Sequence, residues 1–129
     1  MFPDLFGAEP KPRGFHIHQF GDLSQGCTSA GPHYNPQNVT HGSLKSDTRH
    51  AGDMGNISFS KQMNTAEDFE QEFLVRGISV NPCHELSVIG RTIVLHADED
   101  DLGLGGHELS STTGNAGKRF ACGVIGLAK

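Results

Sequence analysis

Apolar and polar positions alternate with a period of two at several places along the chain, and long glycine-rich stretches with no period separate them. Around residues 14–20, Phe15, Ile17 and Gln19 alternate with His16, His18 and Phe20. That is the period of a strand, and it puts two imidazoles on the face opposite the apolar one. Residues 54–60 (MGNISFS) alternate again, and residues 73–80 predict a further strand. Residues 87–96 (SVIGRTIVLH) are rich in β-branched side chains and give the strongest strand pattern. Within it Thr92, Val94 and His96 share one face, and Ile93 and Leu95 the other. Residues 119–127 (RFACGVIGL) predict the last strand.

The segments between read differently. Residues 1–13 carry three prolines and no period, which predicts an irregular arm. Residues 21–52 are full of Gly, Ser, Asn, Pro and Thr, so they predict one long loop. Such a length exceeds the ~12 to 15 residues at which structureless connections become uncommon, so the loop must be functional or held by bonds other than a core. Residues 61–69 are polar and turn-like, with a helical turn expected at 65–70, and Asn81-Pro82 predicts a turn. A second glycine-rich loop spans residues 97–118. No helix of normal length and no internal repeat is visible. Short strands joined by glycine-rich loops predict an all-β sandwich or barrel, with residues 1–129 forming one domain.

Composition narrows the function. Hydrophobic residues make up 35% of the chain, with 17 glycines and no tryptophan, which fits a loop-rich globular domain and not a disordered one. Ten basic against fifteen acidic residues give a net charge of −5, and no Lys/Arg cluster offsets it, so a nucleic-acid partner is not expected. The longest apolar runs, such as residues 121–128, fall far short of the ~20 residues a membrane helix needs, so no membrane partner is expected either. Residues 1–11 lack a basic start followed by an apolar core, and the expectation is a cytoplasmic protein, or an extracellular one whose leader is missing. Cys27, Cys83 and Cys122 are too few and too scattered for a disulfide framework. One bridge plus one free thiol is the simplest arithmetic, and counting does not settle the pairing.

The chemistry sits in six of the eight histidines. His16 and His18, two apart on a strand, point the same way and can share one ion. Alone, such a pair is a weak signal, since two polar residues on a solvated face read the same. His96 ends a strand on a face that can align with them, while His33, His41, His50 and Asp53 come from the loop and its end. Neutral imidazoles suit copper and zinc, and a single carboxylate among nitrogens suits tetrahedral zinc. Seven donors are too many for one such ion. Two ions need eight bonds, which seven residues supply if one histidine bridges.

GFHIHQFGD, GCTSAGPHYNP, RHAGDMGN, GRTIVLHADEDDLG and GNAGKRFACGVIG, in this order, closely resemble the copper/zinc superoxide dismutase family. The likeness covers roughly residues 14–129 apart from a divergent middle. It implies a Greek-key sandwich or flattened barrel that converts superoxide to oxygen and hydrogen peroxide. It implies copper at His16, His18, His33 and His96, and zinc at His33, His41, His50 and Asp53, with His33 bridging. Asp100 matches the carboxylate that links a copper ligand to a zinc ligand, here His16 to His41, and fixes their outer N–H groups. Arg119 matches the arginine that orients the anionic substrate, and Cys27 and Cys122 match the family's disulfide. The likeness further implies a homodimer meeting near residues 20–22, Gly90 and Ile125, and a copper-delivery chaperone as partner.

Departures from the family pattern carry expectations of their own. Relatives place three strands before the Gly-Phe-His-x-His strand, and only thirteen residues precede Gly14, so the first strands are expected to be missing. Leu109 and Thr112 stand where relatives carry charges that guide the substrate, and weaker guidance is expected, with Arg119 and Lys118 left to supply it. Cys83 reads as a free surface thiol, and His84 and His107 as solvated loop residues. The alternative function is a metal-binding protein of this fold with impaired turnover. A β module with fortuitous histidines would bind no metal tightly.

Overall fold

The computed structural model describes residues 11–58 and 70–129. They form five strands: β1 (Pro12–His18), β2 (Ser24–Cys27), β3 (Asp53–Ser58), β4 (Thr92–His96) and β5 (Arg119–Val124). A single-turn helix, α1 (Ser110–Thr113), and a 3-10 turn at Thr28–Ala30 are the helical pieces among the described residues. The fold is all-β, as the alternating pattern predicts.

Four strands make one antiparallel sheet in the order β3-β1-β4-β5. The chain leaves β1 through the long loop, returns as β3 on one side of it, then crosses to the other side for β4. Cross-strand pairing sorts the side chains by face. Phe15 lies opposite Leu95 and Ile17 opposite Ile93, while His16 lies opposite Val94 and His18 opposite Thr92. The first set feeds two apolar clusters, one of Ile17, Tyr34, Ala51, Met54 and Val88, the other of Ile57, Leu95 and Ala121. Burying Ile17, 2% exposed, stabilises the fold by about 2 kcal/mol. The second set carries the histidines.

A bulge places the one carboxylate ligand candidate. Along β1, Gly14 faces Asn56 but His16 faces Asp53, so β3 holds one residue more than β1 over this span. Gly55 sits within it at φ 76°, a conformation that a side chain resists. Asp53 is thereby set beside His16.

Several predicted elements differ. Residues 73–80 form no strand, and Ser79 makes a single bridge to Ser87. Phe73, Val75 and Ile78 instead pack one by one onto the two clusters. The strand expected over 87–96 shortens to Thr92–His96, because the chain turns at 89–90 and Gly90 N–H and Ile125 N–H bond Ile125 O and Arg91 O. The strand expected over 119–127 stops at Val124, and the strand at 14–20 runs from Pro12 to His18, so the arm ends two residues early. The long loop contains β2 and the 3-10 turn. The segment 61–69 lies outside the described residues, as does the helical turn at 65–70 except for Glu70, which is in no helix.

Candidate metal centre

His16 and His18 enter the site from β1, His96 from the end of β4, and Asp53 from the start of β3. His33, His41 and His50 come from the long loop, and His33 is stitched to β1 by a bridge to His18. All seven are buried, at 5% exposure or less. Their donor atoms fall into two groups, His16, His18, His33 and His96 in one and His33, His41, His50 and Asp53 in the other, each within 4.8 Å of one another. His33 belongs to both.

Hydrogen bonds fix which nitrogen is free in four of the six rings. His18 Nδ1 lies 2.7 Å from Gly31 O and His96 Nδ1 3.1 Å from Gly117 O. A carbonyl only accepts, so both Nδ1 atoms carry the proton and both Nε2 atoms present lone pairs. Those two Nε2 atoms face each other at 3.2 Å. Asp100 acts likewise, its Oδ2 accepting from His16 Nε2 and its Oδ1 from His41 Nε2, both at 2.7 Å. The Nδ1 lone pairs of His16 and His41 are then directed inward.

In the second group, Asp53 Oδ1 stands 3.0, 2.9 and 3.2 Å from the Nδ1 atoms of His33, His41 and His50. Its Oδ2 accepts from His50 N–H and Gly42 N–H. His33 Nδ1 and His50 Nδ1 face each other at 3.2 Å. His41 Nδ1, though near Asp53, is not aligned to bond it, and it is left with His16 Nδ1 and His33 Nε2 as buried polar atoms without a partner among the described residues. Unpartnered buried nitrogens cost about 1 to 3 kcal/mol each, and facing lone pairs cost more. A cation at each focus removes both penalties, so the donor set fits two metal ions of the kind that prefers nitrogen ligands.

Without a cation the electrostatics are uneven. Burial pushes His16, His18 and His96 down, to about 3, about 2 and about 4. His33 is lowered too, again chiefly by burial. Burial also acts to lower His41, but the hydrogen bond to Asp100 and the negative charges of Asp100 and Asp53 beside the ring hold it up at about 9. For Asp53 burial acts upward, and the three surrounding imidazoles outweigh it, holding the carboxyl well below the usual range. Asp100, also opposed by burial, is brought down to about 2 by His16 and His41.

Arg119 is half-buried at the start of β5. Its Nη1 donates to Cys27 O and Thr28 O and its Nη2 to Gly31 O. Of five guanidinium N–H groups, two have no acceptor among the described residues and could serve an anion. Cys27 and Cys122 are joined by a disulfide that spans 95 residues and ties the loop to β5. A pocket of about 1110 Å³ opens over His18, His33 and His96, with Arg119, Lys118, Leu109 and Thr112 among its walls. Cys83, His84 and His107 are exposed and lie away from the donor groups.

Some contributors carry no signal in side-chain pattern, above all the carbonyls of Gly31 and Gly117. Arg49 did carry one, sitting directly before His50 in RHAGD. Its Nη1 donates to His50 O, Ala51 O and Asp53 O, and its Nη2 to Arg76 O, so it braces the turn that supplies two donors.

Fold and site together define an all-β protein with two adjoining, nitrogen-rich donor groups that share one histidine. The profile of the family described as copper/zinc superoxide dismutase (SODC) matches residues 1–125, and the chain belongs to that family. The match begins at residue 1, thirteen residues before the sequence motifs do. Among solved structures, the crystal structure of the clock protein EA4 is similar, with a TM-score of 0.83 and 42% identity over 95% of this chain and 74% of that one. The two share the β-sandwich fold of the family.

Proposed function

We propose that the chain dismutes superoxide, using copper held by His16, His18, His33 and His96 and zinc held by His33, His41, His50 and Asp53. The observation that carries this reading is the pair of four-donor groups meeting at His33, with the outer nitrogens already engaged. A bound copper supplies a one-electron couple, and zinc a fixed positive charge that orders the loop. Overall, two superoxide anions and two protons become one dioxygen and one hydrogen peroxide.

The chain's own residues do the rest. Arg119 offers its two free N–H groups at the pocket wall and orients the anion, and Lys118 adds positive charge at the mouth. His33 belongs to both donor groups, and its Nε2, buried and without a partner among the described residues, is the nitrogen proposed to take up and return a proton beside the substrate. Asp100 keeps the Nε2 protons of His16 and His41 in place, so that their lone pairs stay directed at the ions.

Metal analysis coupled to a dismutation assay tests this. Near-stoichiometric copper and zinc with turnover proportional to copper is expected, and full occupancy without superoxide-dependent turnover would falsify it. That second outcome is the alternative reading, a metal-binding protein with impaired turnover. It is favoured by Leu109, an exposed apolar residue at the pocket, and by the solved relative being described as a clock protein. The chain is further proposed to form a homodimer near residues 20–22, Gly90 and Ile125, where Phe20 and Val124, the residue before Ile125, lie 50% and 48% exposed. Sedimentation at micromolar concentration checks it.

A further inference from the structure

Asp100 holds one histidine of each donor group, so its own placement fixes both, and its side chain alone does not set that placement. The Asp100 N–H donates to Asn56 Oδ1 at 2.7 Å, and Asn56 Nδ2 donates to Asp100 O at 2.9 Å. Neither main-chain group of Asp100 has a backbone partner among the described residues. One amide side chain therefore does what a neighbouring strand would do, satisfying donor and acceptor of the same residue.

The sheet explains why it reaches. Asn56 pairs with Gly14 across β1 and β3, and Gly14 N–H bonds Asp98 O on the far side. Gly14 has no side chain to fill the space between. A Cβ there would meet Ala116 Cβ at 2.8 Å, His16 Cε1 at 3.1 Å and Asp100 Cβ at 3.4 Å. Beside this close-packed glycine the half-buried Asn56 grips the chain at Asp100, while Leu102 N–H holds the carboxylate Oδ1 at 2.7 Å.

We infer that Asn56 is a positioning residue for both metal groups, acting through Asp100. The inference rests on the metal-binding half of the proposed function and is independent of turnover. Removing the amide frees the Asp100 main chain, lets the carboxylate shift, and loosens the lone pairs of His16 and His41 together. Only an amide meets both demands. A carboxylate at position 56 still accepts from Asp100 N–H but sets an oxygen against Asp100 O, and that contact repels.

The test measures zinc and copper affinity by chelator competition in the disulfide-intact chain, for wild type, Asn56→Ala, Asn56→Asp, Asp100→Ala and Asn56→Ala/Asp100→Ala. Cobalt(II) in place of zinc reports ligand geometry through its visible absorption. Each Asn56 variant is expected to weaken both ions about tenfold and to alter the cobalt spectrum. In the Asp100→Ala background the Asn56 change is expected to add nothing, because the two act in series. Wild-type affinity and spectrum in Asn56→Asp, which is isosteric and keeps one bond, overturn the inference. So does a full, additive loss in the Asp100→Ala background. A wild-type chain that takes up neither ion overturns the metal reading and this inference with it, an outcome visible in the wild-type arm alone.

Discussion

His18 Nε2 and His96 Nε2 stand 3.2 Å apart with a lone pair on each, because Gly31 O and Gly117 O hold the protons on the opposite nitrogens. Two such atoms repel unless a cation lies between them. In the chelated protein their burial keeps His16, His18 and His96 neutral, with pKa values of about 3, about 2 and about 4 against 6.5 when unfolded. The unfolded chain thus binds more protons below pH 6.5, and folded stability falls as pH drops toward 4. Each group contributes a slope of about 1.4 kcal/mol per pH unit there. His41, raised to about 9, has the opposite sign: its contribution is full below pH 6.5 and is lost as pH rises through 9. Urea midpoints of the metal-free protein are expected to be clearly lower at pH 5 than at pH 7. An equal or higher midpoint at pH 5 would mean these rings are not held neutral.

Gly114 packs against the Asp100 bridge from the other side. A Cβ there would meet Asp100 Oδ1 at 2.0 Å and His41 Nε2 at 2.5 Å, and the residue sits at φ 68°. Gly114→Ala is expected to lower stability by about 1 to 3 kcal/mol and to weaken zinc more than copper, since His41 is struck directly. Thermal melts and zinc competition check it, and unchanged zinc affinity would contradict the packing described.

Breaking the Cys27–Cys122 bond has two expected effects. Closing a loop of this length is worth about 4 to 5 kcal/mol in the chain-entropy account. The second effect is local, because Cys27 O is one of the acceptors that hold Arg119. Cys27→Ser/Cys122→Ser is therefore expected to weaken azide binding at the copper-loaded site as well as stability, read by titration and by melting. A variant that melts early but binds azide as wild type does would separate the two roles.

Under the proposed function, the charge that meets the substrate is local. With a net charge of −5 and Leu109 and Thr112 at the pocket wall, the rate is expected to lean on Arg119. Arg119→Ala should lower kcat/KM at least tenfold. Raising ionic strength from about 0.01 to 0.15 M, which shortens the screening length from ~30 to ~8 Å, should change the wild-type rate by less than about twofold. A steep fall with salt would show that long-range guidance survives.

How much of this was legible beforehand depended on what kind of group does the work. His16 and His18 were readable because a strand's alternation puts them on one face, and the loop donors because so many imidazoles crowd a segment with no core to build. Gly31 O and Gly117 O were not, since every residue has a carbonyl and only the fold says which ones face a ring. The absence of the strand expected at 73–80 has a related cause. Phe73, Val75 and Ile78 are apolar because they cover the two clusters, and burial leaves a mark in sequence whether or not the backbone pairs. At 87–96 the turn at 89–90 interrupts a run whose β-branched residues promised continuity. The bulge at Gly55, which brings Asp53 to His16, is marked in sequence by a single glycine.

Gly31 O accepts from His18 Nδ1 and from Arg119 Nη2, at 2.7 and 2.6 Å, and so uses both of its lone pairs. One oxygen atom is therefore the common datum from which a metal-ligand candidate and the Arg119 guanidinium are both measured. A rotation of that single peptide plane would release both at once, so the alignment of ligand and arginine is kept or lost as a unit.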